Sequence, residues 1–224
     1  MRRLLLAALF ASTPWLAHAK LVTRDVEYTV DKQAMHGYLA YDDGAKAQRP
    51  GVLVVSEGAR VDEATMRRAR DLAQSGFVAF AVAMQGTAPA QGLALALRAK
   101  PALDTVRKQP QTDPERLAAV GFGLGGTAVL QLAYAGAHMR AVASVDGALT
   151  PPDADQGRRI RCAMLVLDLA GIAAAHPDAF DEMRKALAPV HVDAAFATYG
   201  RAQHAKDERR AWGTLRGFLA ETLR

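Results

Sequence analysis

Two short stretches that alternate apolar with polar side chains, residues 26–30 and 36–41, flank Asp31-Lys32-Gln33 and predict an antiparallel hairpin. Beyond them the period changes. Residues 51–55 form a continuous apolar run suited to a strand buried on both faces, and residues 62–74 follow with helical periodicity as far as Ser75-Gly76. Residues 77–82 repeat the buried-strand composition, and 92–108 predict a helix interrupted at Pro101, where an N–H is missing. Asp113-Pro114-Glu115 reads as a turn feeding a strand over 117–121, and 125–134 has the small and apolar residues of a helix packed closely on a sheet.

The alternation continues with strands at 141–145 and 164–167, a helix at 177–188, a strand at 190–198 and a terminal helix at 207–223. In that last helix Trp212, Leu215, Phe218 and Leu219 share the inward face. Strands alternating with helices predict an α/β fold, a mostly parallel sheet with helices on both faces. No internal repeat or low-complexity linker divides the chain.

The first nineteen residues stand apart from this pattern. Met-Arg-Arg leads into an apolar run ending near Phe10, Ser12-Thr13-Pro14 breaks it, and Ala17-His18-Ala19 closes it, the three regions of a secretory signal peptide. The expectation is cleavage after Ala19, export to the periplasm or medium, and one domain over residues 20–224. The run is shorter than the roughly 20 residues of a spanning helix, so no stable membrane anchor is expected.

Cleavage removes Arg2 and Arg3 and no acidic residue, bringing the formal charge from +5 to +3. The other cations are interspersed with acids, as in Arg67, Arg68 and Arg70 beside Asp62, Glu63 and Asp71, which reads as a solvated helix face. No basic strip predicts nucleic-acid binding. A single cysteine, Cys162, excludes an internal disulfide and reads as a small buried apolar residue.

Candidate chemistry centres on Gly121-Phe122-Gly123-Leu124-Gly125-Gly126, placed between a buried strand and a helix. That is the context of a nucleophile elbow, a turn so sharp that side chains two residues to either side of the apex would collide with neighbouring backbone. The apex, Gly123, offers no hydroxyl or thiol. Gly121, Gly123 and Gly126 also fit a phosphate-cradling G-x-G-x-x-G, but the unit comes late in the sheet rather than at its first strand-helix turn.

With the elbow, three further segments resemble the dienelactone hydrolase family in order along nearly the whole mature chain. Ser56-Glu57 ends the first buried strand where the family has His-Glu, 164–172 ends near the family's acid, and Tyr199-Gly-Arg-Ala-Gln-His204 matches its histidine loop. The resemblance implies an α/β-hydrolase fold, a retained base at His204, a degenerate nucleophile position at Gly123 and a degenerate acid position at Ile172. It also implies a pocket bounded by Ser56, Glu57, Leu124 and Asp146, with the Leu124 N–H and the 57–59 loop as oxyanion donors. The segment between Gly86 and Leu103 is shorter than the family's loop, which implies a more open pocket.

Loss of the nucleophile removes the covalent route, because the members of such a triad act as a unit. The first expectation is therefore a non-catalytic or strongly impaired family member that binds a small ester, lactone or carboxylate, without cofactor. The alternative is an active carboxylic-ester hydrolase with a relocated nucleophile, Ser56 or Ser144, working with His204 and an acid such as Asp146. Asp168 reads as a loop cap that could also serve as an acid. His176 and His191 read as surface or loop residues, and no paired ligand spacing such as His-x-x-x-His predicts a metal site.

Overall fold

The computed structural model describes residues 20–44, 47–84, 92–199 and 204–224; the expected signal peptide, residues 1–19, lies outside the described residues. Eight strands form one sheet: β1 (Leu21–Val30), β2 (Gln33–Asp42), β3 (Arg49–Ser56), β4 (Val78–Ala83), β5 (Thr112–Phe122), β6 (Ala141–Val145), β7 (Ala163–Asp168) and β8 (Ala194–Thr198). Their spatial order is β1-β2-β4-β3-β5-β6-β7-β8. From β4 through to β8 every pairing is parallel, whereas the β1-β2 hairpin joins antiparallel through β2 and β4. The hairpin turn is two residues, not three: Asp31 and Lys32 take φ of 48° and 66°, the left-handed pair that matches strand twist.

Among the described residues seven α-helices cover the sheet: α1 (Glu63–Gln74), α2 (Leu93–Arg107), α3 (Leu124–Tyr134), α4 (Ala154–Arg159), α5 (Ile172–Ala175), α6 (Ala179–Leu187) and α7 (His204–Thr222). One core layer joins α2, α3 and α6 to the sheet through residues such as Leu103, Leu130, Met164 and Met183. On the other face α1 and α7 press Leu72, Leu215 and Leu219 against Val52, Val54 and Leu167. The continuous apolar runs of β3 and β4 follow from this, since a strand covered on both faces has no polar side to present.

Several elements depart from the expectation, for local reasons. Pro101 does not interrupt α2: the carbonyl it leaves without a donor belongs to Leu97, on the exposed side of the helix, where water can replace the lost bond. Asp113-Pro114-Glu115 lies inside β5 as an irregularity, Pro50 pairing with Asp113 but Gly51 with Leu117. Asp113 stabilises it by accepting from Glu115 N at 3.0 Å and Arg116 Nε at 2.7 Å. The last strand starts at Ala194 instead of 190, because a 3-10 turn over Ala188–Val190 and a left-handed His191 precede it. The short helices α4 and α5 carry too few turns to show a period; α4 is held by a reciprocal capping box between Asp153 and Gln156.

Among the described residues no helix is long and apolar enough to cross a membrane.

Candidate active site

The site lies at the carboxyl ends of the parallel strands, where an open α/β sheet places its clefts. Strand β5 ends at Phe122 and helix α3 starts at Leu124, so Gly123 alone makes the turn, with φ 53° and ψ −123°. Only glycine reaches that region without strain; another residue would carry on the order of 1 to 3 kcal/mol. Gly123 N donates to Val145 O at 2.9 Å, which fixes the apex against β6. The flanking glycines are required by space. A Cβ on Gly126 would fall 2.7 Å from Ser144 Oγ, and one on Gly125 would fall 2.7 Å from the Val55 carbonyl carbon. At Gly121 it would fall 2.6 Å from Gly126 N. These contacts let α3 sit directly on β3 and β6.

Above Gly123 stands Glu57. A Cβ built on Gly123 would lie 2.8 Å from Glu57 Cδ and 3.1 Å from Glu57 Cβ, with Oε2 nearer still. Glu57 follows β3, whose Val55 pairs with Gly121, so the sheet register brings the end of β3 beside the elbow. The two face a cleft of about 680 Å³ whose walls include Ser56, Arg68, Phe122, Asp146, Glu208 and Trp212. Leu124 opens α3, so its N–H is one of the donors that a helix leaves without an internal carbonyl. It stands one residue past the apex, where an oxyanion donor is needed.

Arg68 is the cleft's main departure from the sequence reading. It is not solvated helix face: its side chain retains 26% exposure, its guanidinium carbon lies 3.8 Å from the centre of the Phe122 ring, and Arg68 Nη2 stands 3.8 Å from Glu208 Oε1. Burial lowers its pKa from the ordinary arginine value, opposed by the carboxylates of Glu208, Asp62 and Glu57. Periodicity on α1 gave no sign of this, because Phe122 and Glu208 come from β5 and α7.

The remaining expected residues are dispersed. Ser56 is buried and its hydroxyl donates to Val82 O at 3.4 Å, on the cleft wall. Ser144 is fully enclosed beneath Gly126 and Gly147, with its oxygen unpaired among the described residues and no surface from which to meet a substrate. Asp146 takes a left-handed φ of 54° and accepts from Leu169 N at 2.6 Å and Ala170 N at 2.8 Å through one oxygen. Asp168 is buried and accepts from Gly171 N and Ile172 N, both at 2.8 Å, which caps α5.

Ile172 lines a neighbouring cleft of about 820 Å³ with Leu149, His176 and Glu182, so its position is separated from the elbow by the Asp146-Ala170 wall that the two clefts share. His204 opens α7 by its backbone, and its side chain lies outside the described part of the structure, as do residues 200–203 and 85–91. Cys162 is buried, and burial pushes its thiol pKa up to about 12. Among the described residues no group of three or more His, Cys, Asp or Glu could hold a metal ion.

Comparison with known proteins gives the family and supports the fold. Residues 84–212, more than half of the chain, match the Dienelactone hydrolase family. A solved structure described as m3DLH is 28% identical, with a TM-score of 0.81 over 91% of this chain and 99% of that one. The dienelactone hydrolase-like promiscuous phosphotriesterase P91 from metagenomic libraries is 26% identical, with a TM-score of 0.81 and the same coverage. Similarity to the Pyrococcus horikoshii acylaminoacyl peptidase, 12% identical with a TM-score of 0.70 over 91% of this chain and 42% of that one, reflects the fold alone. Among curated proteins none matches.

Proposed function

Because the chain belongs to the dienelactone hydrolase family, we propose that it keeps the family's cleft as a binding site for a small ester, lactone or carboxylate and has lost hydrolysis through an acyl-enzyme. The observation that carries this reading is Gly123 at the elbow apex, in the φ 53° geometry of the turn but without an attacking atom. The cleft supplies the Arg68 guanidinium over Phe122 for a polar or anionic end and the apolar surfaces of Leu169 and Trp212; Leu124 is not among its walls, but its N–H, next to the Gly123 that is, is the donor proposed for an acyl oxygen. Binding without the nucleophile stabilises ground state and transition state alike, so it gives occupancy and little rate.

Export ahead of residue 20, with cleavage after Ala19, is part of the same proposal and rests on the signal-peptide pattern. A relocated nucleophile has less support. Ser144 is enclosed, and Ser56 points its hydroxyl at Val82 O.

The test is calorimetric titration of the mature protein with a short-chain aryl ester, a γ-lactone and the matching carboxylates. Saturable heat with one of them, reduced by Arg68→Ala, supports the reading. Absence of heat with all of them refutes it.

A further inference from the structure

The space that a nucleophilic side chain would fill is occupied. The Glu57 carboxylate stands over the Gly123 apex, where a Cβ would lie 2.8 Å from its Cδ, and both residues open on the same cleft. A side chain on the apex would have to share this space by displacing the Glu57 carboxyl, whereas glycine leaves it where it stands. With no attacking atom at Gly123, the proton acceptor beside the apex is the Glu57 carboxylate.

We infer that Glu57 is a general base that directs water onto a neutral ester or lactone held at the elbow, so that the protein hydrolyses slowly without an acyl-enzyme. The inference rests on the reading that the cleft binds such ligands. As the oxygen of the water bonds to the acyl carbon, Glu57 takes its proton and the carbonyl oxygen becomes an oxyanion facing the Leu124 N–H. Collapse breaks the acyl carbon–oxygen bond, and the leaving alkoxide takes the proton from Glu57, which restores the carboxylate. An ester gives an acid and an alcohol; a lactone gives one hydroxy acid. A negative charge at the apex favours neutral acyl groups over carboxylates at that point, while Arg68 remains available for an anionic end farther along the cleft.

The experiment uses the full mature protein, 4-nitrophenyl acetate as substrate, and 4-nitrophenylacetone, its ketone isostere, as a non-hydrolysable ligand. Positioned general bases contribute roughly 10² to 10⁴ in rate, so Glu57→Gln is expected to lower kcat about 10²-fold with KM nearly unchanged, and Glu57→Asp to recover part of it. The wild type should show no burst of nitrophenol and no acyl adduct by intact mass. Equal kcat in wild type and Glu57→Gln overturns the inference, as does an acyl adduct. Turnover no faster than buffer also overturns it, and calorimetric binding of the ketone then leaves the binding reading standing. If neither the ketone nor any ligand of the calorimetric series binds, both fall.

Discussion

The carboxylate of Glu57 and the missing side chain of Gly123 compete for one space: a Cβ on Gly123 would lie 2.8 Å from Glu57 Cδ. One residue follows β3 and the other follows β5, and the parallel pairing of Val55 with Gly121 sets them against each other. The space beside the Gly123 apex is therefore filled, by a carboxyl group that follows the neighbouring strand.

Gly123→Ser should destabilise the protein by about 1 to 3 kcal/mol for the backbone alone, since serine is strained at φ 53°. The collision with Glu57 adds to that cost. In a Glu57→Ala background the contacts with Cδ and Oε2 are gone and only the one with Cβ, at 3.1 Å, remains, so the same substitution should cost less by about 0.5 kcal/mol or more. Urea denaturation of the four proteins measures this, and equal costs in both backgrounds, or a higher melting temperature for Gly123→Ser, would show that the two residues do not compete.

Asp146 holds the β7-α5 loop by accepting from Leu169 N and Ala170 N while its own backbone is left-handed. Asp146→Ala removes the oxygen that accepts from Leu169 N and Ala170 N and should cost about 1 to 3 kcal/mol. Asparagine tolerates the backbone and keeps a carbonyl oxygen, so Asp146→Asn should cost clearly less. Equal stability of the alanine variant and wild type in thermal unfolding would mean that the loop is held by something else.

The order of the strands and of the longer helices, the parallel sheet and the elbow are readable in the sequence, because each is a local pattern of period, turn residues or glycine spacing, whereas α4 and α5 are too short to show one. What was unreadable depends on contacts between distant segments. Ser144 looked like a strand-end hydroxyl until the sheet put Gly126 and Gly147 over it. Arg68 looked solvated until β5 supplied the Phe122 ring. Asp168 was recognisable as a cap because an acid just before a short helix satisfies N–H groups close by in the chain. Glu57 was placed in the pocket from resemblance to the family, but its position over the apex depends on the register between β3 and β5.

Asp62 caps α1 by accepting from Thr65 N at 2.8 Å, and the bonds with Thr65 hold its carboxyl below the usual range. A depressed folded pKa means that the charged cap stabilises the fold above the unfolded value near 3.8, and that this contribution is lost as pH falls through the folded pKa. Asp62→Ala should therefore cost about 1 kcal/mol at pH 7 and progressively less as pH drops below about 4. A cost independent of pH, measured by denaturation across that range, would remove the charge from the explanation.

Cys162 should resist thiol reagents in the folded protein, since burial pushes its pKa up to about 12 and the thiolate is the reactive form. Ellman's reagent should report no fast thiol under native conditions and one per chain in guanidinium. Full reaction of the native protein at the rate of a free thiol would contradict its placement.

On the function proposed for it, the protein keeps the fold without a nucleophile able to form a covalent acyl-enzyme. Incubation of the mature protein with a serine-reactive fluorophosphonate, followed by intact-mass measurement, tests it most directly. The expected result is an unmodified mass after a time sufficient to label an active serine hydrolase completely. A stoichiometric adduct mapped to Ser56, and abolished by Ser56→Ala, would contradict the claim.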